Sequence, residues 1–205
     1  MEQLPRIIDE RDMPIIYSTL YDMSTKGRKQ LVPIRALAML KLMEQTALRA
    51  GEVRVLHESS ITRYDDNISL ITVPDEHGAK RGSRVVPFVT HYSDGRETPA
   101  YKALRRWLSV KKRKSIKSDY LFCGYNGRQV CREDFARYVS AVGKVAGIPY
   151  PITPHMWRHT RATELARTEK LQYVQALLGH KSISMTQRYT HLRPLDVASV
   201  LANHV

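Results

Sequence analysis

Residues 154–192 read PHMWRHTRATELARTEKLQYVQALLGHKSISMTQRYTHL. Pro149, Pro151 and Pro154 lead into this stretch. Proline fixes φ and pushes the residue before it out of the helical region, so 148–153 reads as an extended linker. Thr153 is then placed as an N-cap, with Pro154 at the first helical position. Apolar spacing predicts a helix over 155–167, a second over 172–178 closed by Gly179, and a short third over 184–192 that ends before Pro194. His155 and Arg158 stand three apart and so share a helix face. Arginine presents a planar fork of donors suited to phosphate oxygens. Imidazole can donate to the same phosphate or accept a proton near neutral pH. His180 follows in a Leu-Gly-His turn, and Tyr189 lies nine residues beyond it. A phenol has a pKa of about 10. It becomes a useful nucleophile only when a base takes its proton or cations stabilise the phenolate. Two histidines and an arginine gathered around a tyrosine point to chemistry on a phosphodiester. Taken by itself, the His155–Arg158 spacing fits a capping histidine and a solvated arginine just as well.

Upstream of this stretch the chain reads as helices around one small sheet. A helix runs through Ile15, Tyr17, Leu20 and Tyr21, followed by a basic break at 26–29. Pro33 suits a helix start, and 34–50 keeps helical apolar spacing with Gly51 as its C-cap. The runs 68–73 and 84–89 are rich in β-formers and flank the turn-rich segment PDEHGAKRGS, which makes them a hairpin. The segment 98–114 reads as a helix with Tyr101, Leu104, Leu108 and Val110 inward. Lys102, Arg105, Arg106, Lys111, Lys112, Arg113 and Lys114 take its other positions, a face that is either solvated or laid along a phosphate backbone. A short strand-like run at 120–123 precedes the turn GYNG, and 132–145 is a further helix. The expected fold is mainly α with a small antiparallel sheet and no internal domain boundary.

The chain has 205 residues and a formal charge of +13. That balance favours a polyanionic partner, because binding releases counterions. The only cysteines are Cys123 and Cys131, too few for a disulfide framework and not spaced as a zinc site. The N-terminal residues MEQLPRIIDERDM carry acids and no apolar core, unlike a signal peptide, and no apolar run nears membrane-spanning length. The expectation is a cytoplasmic protein with no membrane association.

The string from His155 to Tyr189 resembles the C-terminal signature of the tyrosine recombinases, or phage-type integrases. QTALRAGEV (45–53) resembles that family's first arginine box, with Arg49 followed three residues later by Glu52. The strand Arg84-Val85-Val86-Pro87 resembles the one that follows the family's catalytic lysine. That lysine usually stands five residues before the arginine, where this chain has Ala79. Lys80, four residues before, fits if the turn is one residue shorter, and Arg81 is the fallback. The resemblance covers about 49–191, most of the chain. His159 and His191 flank the signature without an assigned role, and Trp157 reads as core packing.

The resemblance implies a DNA strand-breaking and rejoining enzyme. Tyr189 would attack a backbone phosphate, forming a 3′-phosphotyrosine link. Arg49 and Arg158 would clamp the non-bridging oxygens, and Lys80 would protonate the 5′ leaving oxygen. His155 would serve as base, His180 would hydrogen-bond the phosphate, and Glu52 would support its neighbours. No cofactor or metal is implied. The implied partner is double-stranded DNA, bound by a homotetramer. Residues 1–193 would form the catalytic domain and 194–205 a tail exchanged between protomers. Many relatives carry an N-terminal helical DNA-gripping domain, for which 1–30 is too short; the chain is then a fragment or a short single-domain relative. A type IB topoisomerase-like relaxing enzyme and a non-catalytic DNA-binding regulator of the same fold remain alternatives. An RNA-binding module lacks its expected aromatic pattern.

Overall fold

Leu31, Ile34, Leu37, Ala38, Leu40, Leu42 and Met43 point every way around one helix, and all are buried. A helix apolar on all sides must sit inside the protein. In the computed structural model, which describes residues 6–26, 30–74, 84–168 and 171–178, this is α2 (Leu31–Thr46). Around it pack α1 (Asp12–Lys26), α4 (Pro99–Arg113) and α6 (Pro154–Thr168). The remaining helices are α3 (Ala50–Val55), α5 (Arg132–Val145) and α7 (Leu171–Leu178). Thr98 caps α4, its side chain accepting from the Tyr101 N–H, and Pro99 opens the helix. Trp107 of α4 is fully buried, and its indole N–H donates to the Leu121 carbonyl at 2.7 Å. Trp157 is fully buried too, as its place in the sequence predicts.

Three antiparallel strands in the order β1 (Ile61–Arg63), β2 (Ile68–Val73) and β3 (Arg84–Val89) form the sheet. Ile71 faces Val86 and Ser69 faces Phe88 across β2 and β3, and all four are buried. Val73 pairs with Arg84, so the β2–β3 ladder runs to the first residue of β3.

The mainly helical fold with a small antiparallel sheet is as expected. Three local expectations are corrected. The third strand is Ile61–Arg63, whereas 120–123 forms only isolated bridges, Tyr120 to His57 and Cys123 to Gln129. The helix expected over 34–50 stops at Thr46, and Gly51 lies inside α3 instead of capping α2. The basic positions of α4 are not one solvated face. Lys111 is buried and its ammonium donates to Glu58 Oε1 at 2.5 Å and to the Ser118 and Tyr120 carbonyls at 2.9 and 2.7 Å. All three ammonium protons are used, which is what lets a lysine stay inside. Arg105 pairs with Glu97, and Arg106 donates to the Ser24 carbonyl at 3.2 Å. Lys102, Lys112, Arg113 and Lys114 are exposed.

Gly143 lies within α5 where an added Cβ would meet Ile152 Cγ1 at 2.5 Å and Cδ1 at 2.8 Å. Ile152 is buried and β-branched, so it has little room to turn. In an exposed helix, glycine to alanine stabilises by about 1 kcal/mol. Here the clash dominates, and Gly143→Ala is expected to destabilise by roughly 1–3 kcal/mol, read as a lower urea midpoint; a raised midpoint would show that the α5–Ile152 contact yields.

Candidate active site

The site begins with an interruption in the central helix. Ala47 takes a left-handed conformation, φ 52°, and its N–H closes α2 on the Met43 carbonyl. Alanine pays about 1–2 kcal/mol for this geometry. Arg49 is extended (φ −69°, ψ 149°) and stands as the N-cap of α3. An arginine side chain cannot accept a hydrogen bond, so Arg49 offers no side-chain cap. Glu52 supplies the missing half from within the helix: its Oε2 accepts from the Arg49 backbone N–H at 2.7 Å. The same carboxylate takes the Arg49 guanidinium, Nη1 to Oε1 at 2.9 Å. The box Arg49-x-x-Glu52 is thus a helix restart that aims a guanidinium.

Glu52 has a second arginine. Arg84, the first residue of β3, places Nη2 2.7 Å from Glu52 Oε2 and donates through Nη1 to the Leu177 carbonyl at 2.7 Å. Arg158 of α6 lies alongside, with Nη1 donating to the Ala47 carbonyl at 2.5 Å and Nη2 to the Leu178 carbonyl at 2.6 Å. The last carbonyls of a helix have no partner within it and carry its negative dipole end. Arg84 and Arg158 therefore bind consecutive carbonyls at the C-terminus of α7, and Arg158 also holds the turn that ends α2.

The electrostatics follow from this crowding. Burial raises the Glu52 carboxyl, but Arg84 and Arg49 outweigh it and leave the group below its ordinary value. Burial first, then the Arg49 guanidinium, pulls Arg158 down to about 10. It stays charged at neutral pH. His155 is exposed at the mouth of α6, yet partial burial, then Arg132, Arg158 and Arg49, pull its pKa below the ordinary imidazole value. Half-buried His159 is lowered in the same direction, by burial and then by His155 and Arg158. Arg49 and Arg84 share the Glu52 carboxylate and Arg158 beside them holds only carbonyls, so the cluster carries excess positive charge. Among the described residues, no group of three histidine, cysteine or acidic side chains is placed to hold a metal ion.

Of the residues singled out in the sequence, Arg49, Glu52, His155 and Arg158 come together. His155 and Arg158 occupy the same side of α6 in different ways: the imidazole is exposed and the guanidinium is buried. Lys80, its alternative Arg81, His180 and Tyr189 lie outside the described residues. Arg84 enters the site although the sequence marks it only as the head of a strand. Its signal was a charged residue opening an otherwise apolar β-run. Arg132, at the start of α5, stands close enough to His155 to depress it.

The model of the phage integrase family matches residues 9–195, nearly the whole chain. The chain belongs to the phage integrase family. It is 34% identical over 160 residues to tyrosine recombinase XerC of Corynebacterium glutamicum, covering 78% of this chain and 47% of that protein. It is 29% identical to tyrosine recombinase XerD of Listeria monocytogenes serotype 4b, covering 96% of this chain and 61% of the relative. The chain thus spans about half to three-fifths of the length of these relatives. Its fold superposes on the XerH site-specific recombinase bound to its difH substrate with a TM-score of 0.71 and 22% identity, covering 96% of this chain and 53% of that one. As a phage integrase family member it shares that helical fold and small sheet. No helix among its described residues is long and apolar enough to cross a membrane.

Because the folded-state pKa of Glu52 is depressed, its stabilisation is complete above the unfolded carboxylate value of about 4.3 and is lost as pH falls through the folded value. Urea midpoints of the wild type are therefore expected to fall steeply below about pH 4.3. Glu52→Gln strands Arg84 and is expected to start about 3 kcal/mol lower at pH 7, then to fall less steeply in acid. Equal acid slopes in the two proteins would remove Glu52 as the linked group.

Proposed function

We propose that residues 1–193 form the catalytic domain of a site-specific DNA recombinase, with 194–205 as a tail exchanged between protomers. One observation carries this reading: Arg49 and Arg84 converge on the Glu52 carboxylate while Arg158, alongside, holds only backbone carbonyls, a cationic pocket lacking one or more negative charges. A phosphodiester supplies that charge. The family membership, the names of the relatives and the net charge of +13 support DNA as its source.

In this scheme the Tyr189 oxygen attacks the phosphorus and its proton passes to His155. The bond to the 5′ oxygen breaks, Lys80 gives that oxygen a proton, and a 3′-phosphotyrosine link remains. Arg49 and Arg158 hold the non-bridging oxygens as charge builds, and His180 donates to the phosphate. Such a preorganised donor is worth about a hundredfold in rate. Lys80, His180 and Tyr189 take these roles from the sequence resemblance. Reversal by a 5′-hydroxyl needs no external energy, because one phosphoester has replaced another. Exchange between two duplexes requires four strand cleavages, and with one nucleophile per protomer that makes a homotetramer on DNA. The same physics would serve a relaxing enzyme, but the relatives are named as recombinases.

The depressed pKa of His155 leaves it neutral at pH 7, as a base must be. The cleavage rate is expected to fall as pH drops through a value below 6.5. His155→Asn should lower the rate and abolish that acidic limb; an unchanged limb would assign the base role elsewhere. The decisive experiment incubates the protein with a random-sequence pool of nicked duplexes and sequences any DNA left covalently attached. A 3′-linked adduct absent from Tyr189→Phe is expected. No adduct from the wild type would leave a non-catalytic DNA-binding protein.

A further inference from the structure

Arg84 has no role in the reaction scheme above, yet it joins three segments that supply that scheme. It is the first residue of β3, paired with Val73, and Lys80 stands four residues earlier in the sequence. Its Nη2 rests 2.7 Å from Glu52 Oε2, on the carboxylate that aims the Arg49 guanidinium. Its Nη1 donates to the Leu177 carbonyl at 2.7 Å, at the end of α7, and His180 stands three residues on in the sequence. The Arg84 side chain is 22% exposed and the Glu52 side chain 9%, so the pair is shielded and poorly screened by salt.

We propose that Arg84 is a positioning residue that sets the start of β3 and the end of α7 relative to the Arg49 box. The proposal rests on the recombinase reading. Guanidinium suits the task because its rigid fork bonds a carboxylate and a carbonyl in two directions at once. A lysine ammonium in its place keeps the charge beside Glu52 but has no planar fork to hold both acceptors. Arg84 does not itself touch the phosphate in this account. Arg158 holds the neighbouring Leu178 carbonyl, so the α7 end keeps one support when Arg84 is lost. The Arg84→Gln protein should therefore fold with its helices in place and its site misaligned.

The test compares wild type, Arg84→Lys and Arg84→Gln on a nicked duplex captured as above, with protein saturating and the temperature well below unfolding. Three quantities are read: the single-turnover cleavage rate, the salt dependence of DNA binding, and amide hydrogen exchange across 171–178. Arg84→Gln is expected to cleave at least tenfold more slowly, with an unchanged salt slope and faster exchange in 171–178 but not in α2. Arg84→Lys should recover part of the rate. A salt slope reduced by about one would make Arg84 a phosphate contact and overturn the proposal. So would an unchanged cleavage rate, or a rate lost only in proportion to the unfolded fraction. A wild-type protein that forms no adduct on any duplex overturns the recombinase reading itself. Hydrogen exchange then still decides whether Arg84 holds α7, and unaltered exchange removes that tie as well.

Discussion

A buried carboxylate between two guanidinium groups is the constraint on which the rest depends. Glu52 accepts from the Arg49 backbone N–H, the Arg49 guanidinium and the Arg84 guanidinium. Removing such an anion from water is costly, and only a full set of donors offsets the penalty. The donors come from a helix N-terminus and from a strand that starts 32 residues later in the chain. Satisfying Glu52 therefore brings α3 and β3 together before any ligand arrives. The arginines outnumber the acid, so the same cluster that closes the fold leaves positive charge for an anion.

Arg158 solves a related problem by different means. Among the described residues no carboxylate bonds it; it holds the carbonyls of Ala47 and Leu178, at the ends of α2 and α7. Two helix C-termini present partial negative charge to one guanidinium. This makes its burial tolerable without cancelling its charge. The left-handed Ala47 has its explanation here. The strained turn directs a carbonyl at Arg158 and frees the chain to restart at Arg49. Strain held by surrounding packing is a recurrent feature of functional sites.

Most helices, the hairpin strands and the burial of Trp157 were legible because apolar spacing, Pro154 and the β-rich runs act over a few residues. The break at Ala47 was not legible. Residues 34–50 keep helical spacing throughout, and nothing local reports that an alanine will adopt positive φ. Lys111 was misread for a similar reason: a lysine in a basic run is buried only because Glu58 and two distant carbonyls meet its ammonium. The strand Ile61–Arg63 is too short to show alternation, and it exists because β2 offers it an edge.

By itself the sequence determined which chemical groups this protein possesses and which helices and strands carry most of them, since residue type and local periodicity need no partner. It also determined the family, through the spacing of His155, Arg158, His180 and Tyr189 and the box at Arg49. Tertiary structure alone decided that Arg49, Glu52, Arg84 and Arg158 form one charged cluster, and that Arg84 belongs to it at all. Burial of a charge is settled by donors and acceptors from segments far apart in the chain, and no local pattern encodes their meeting.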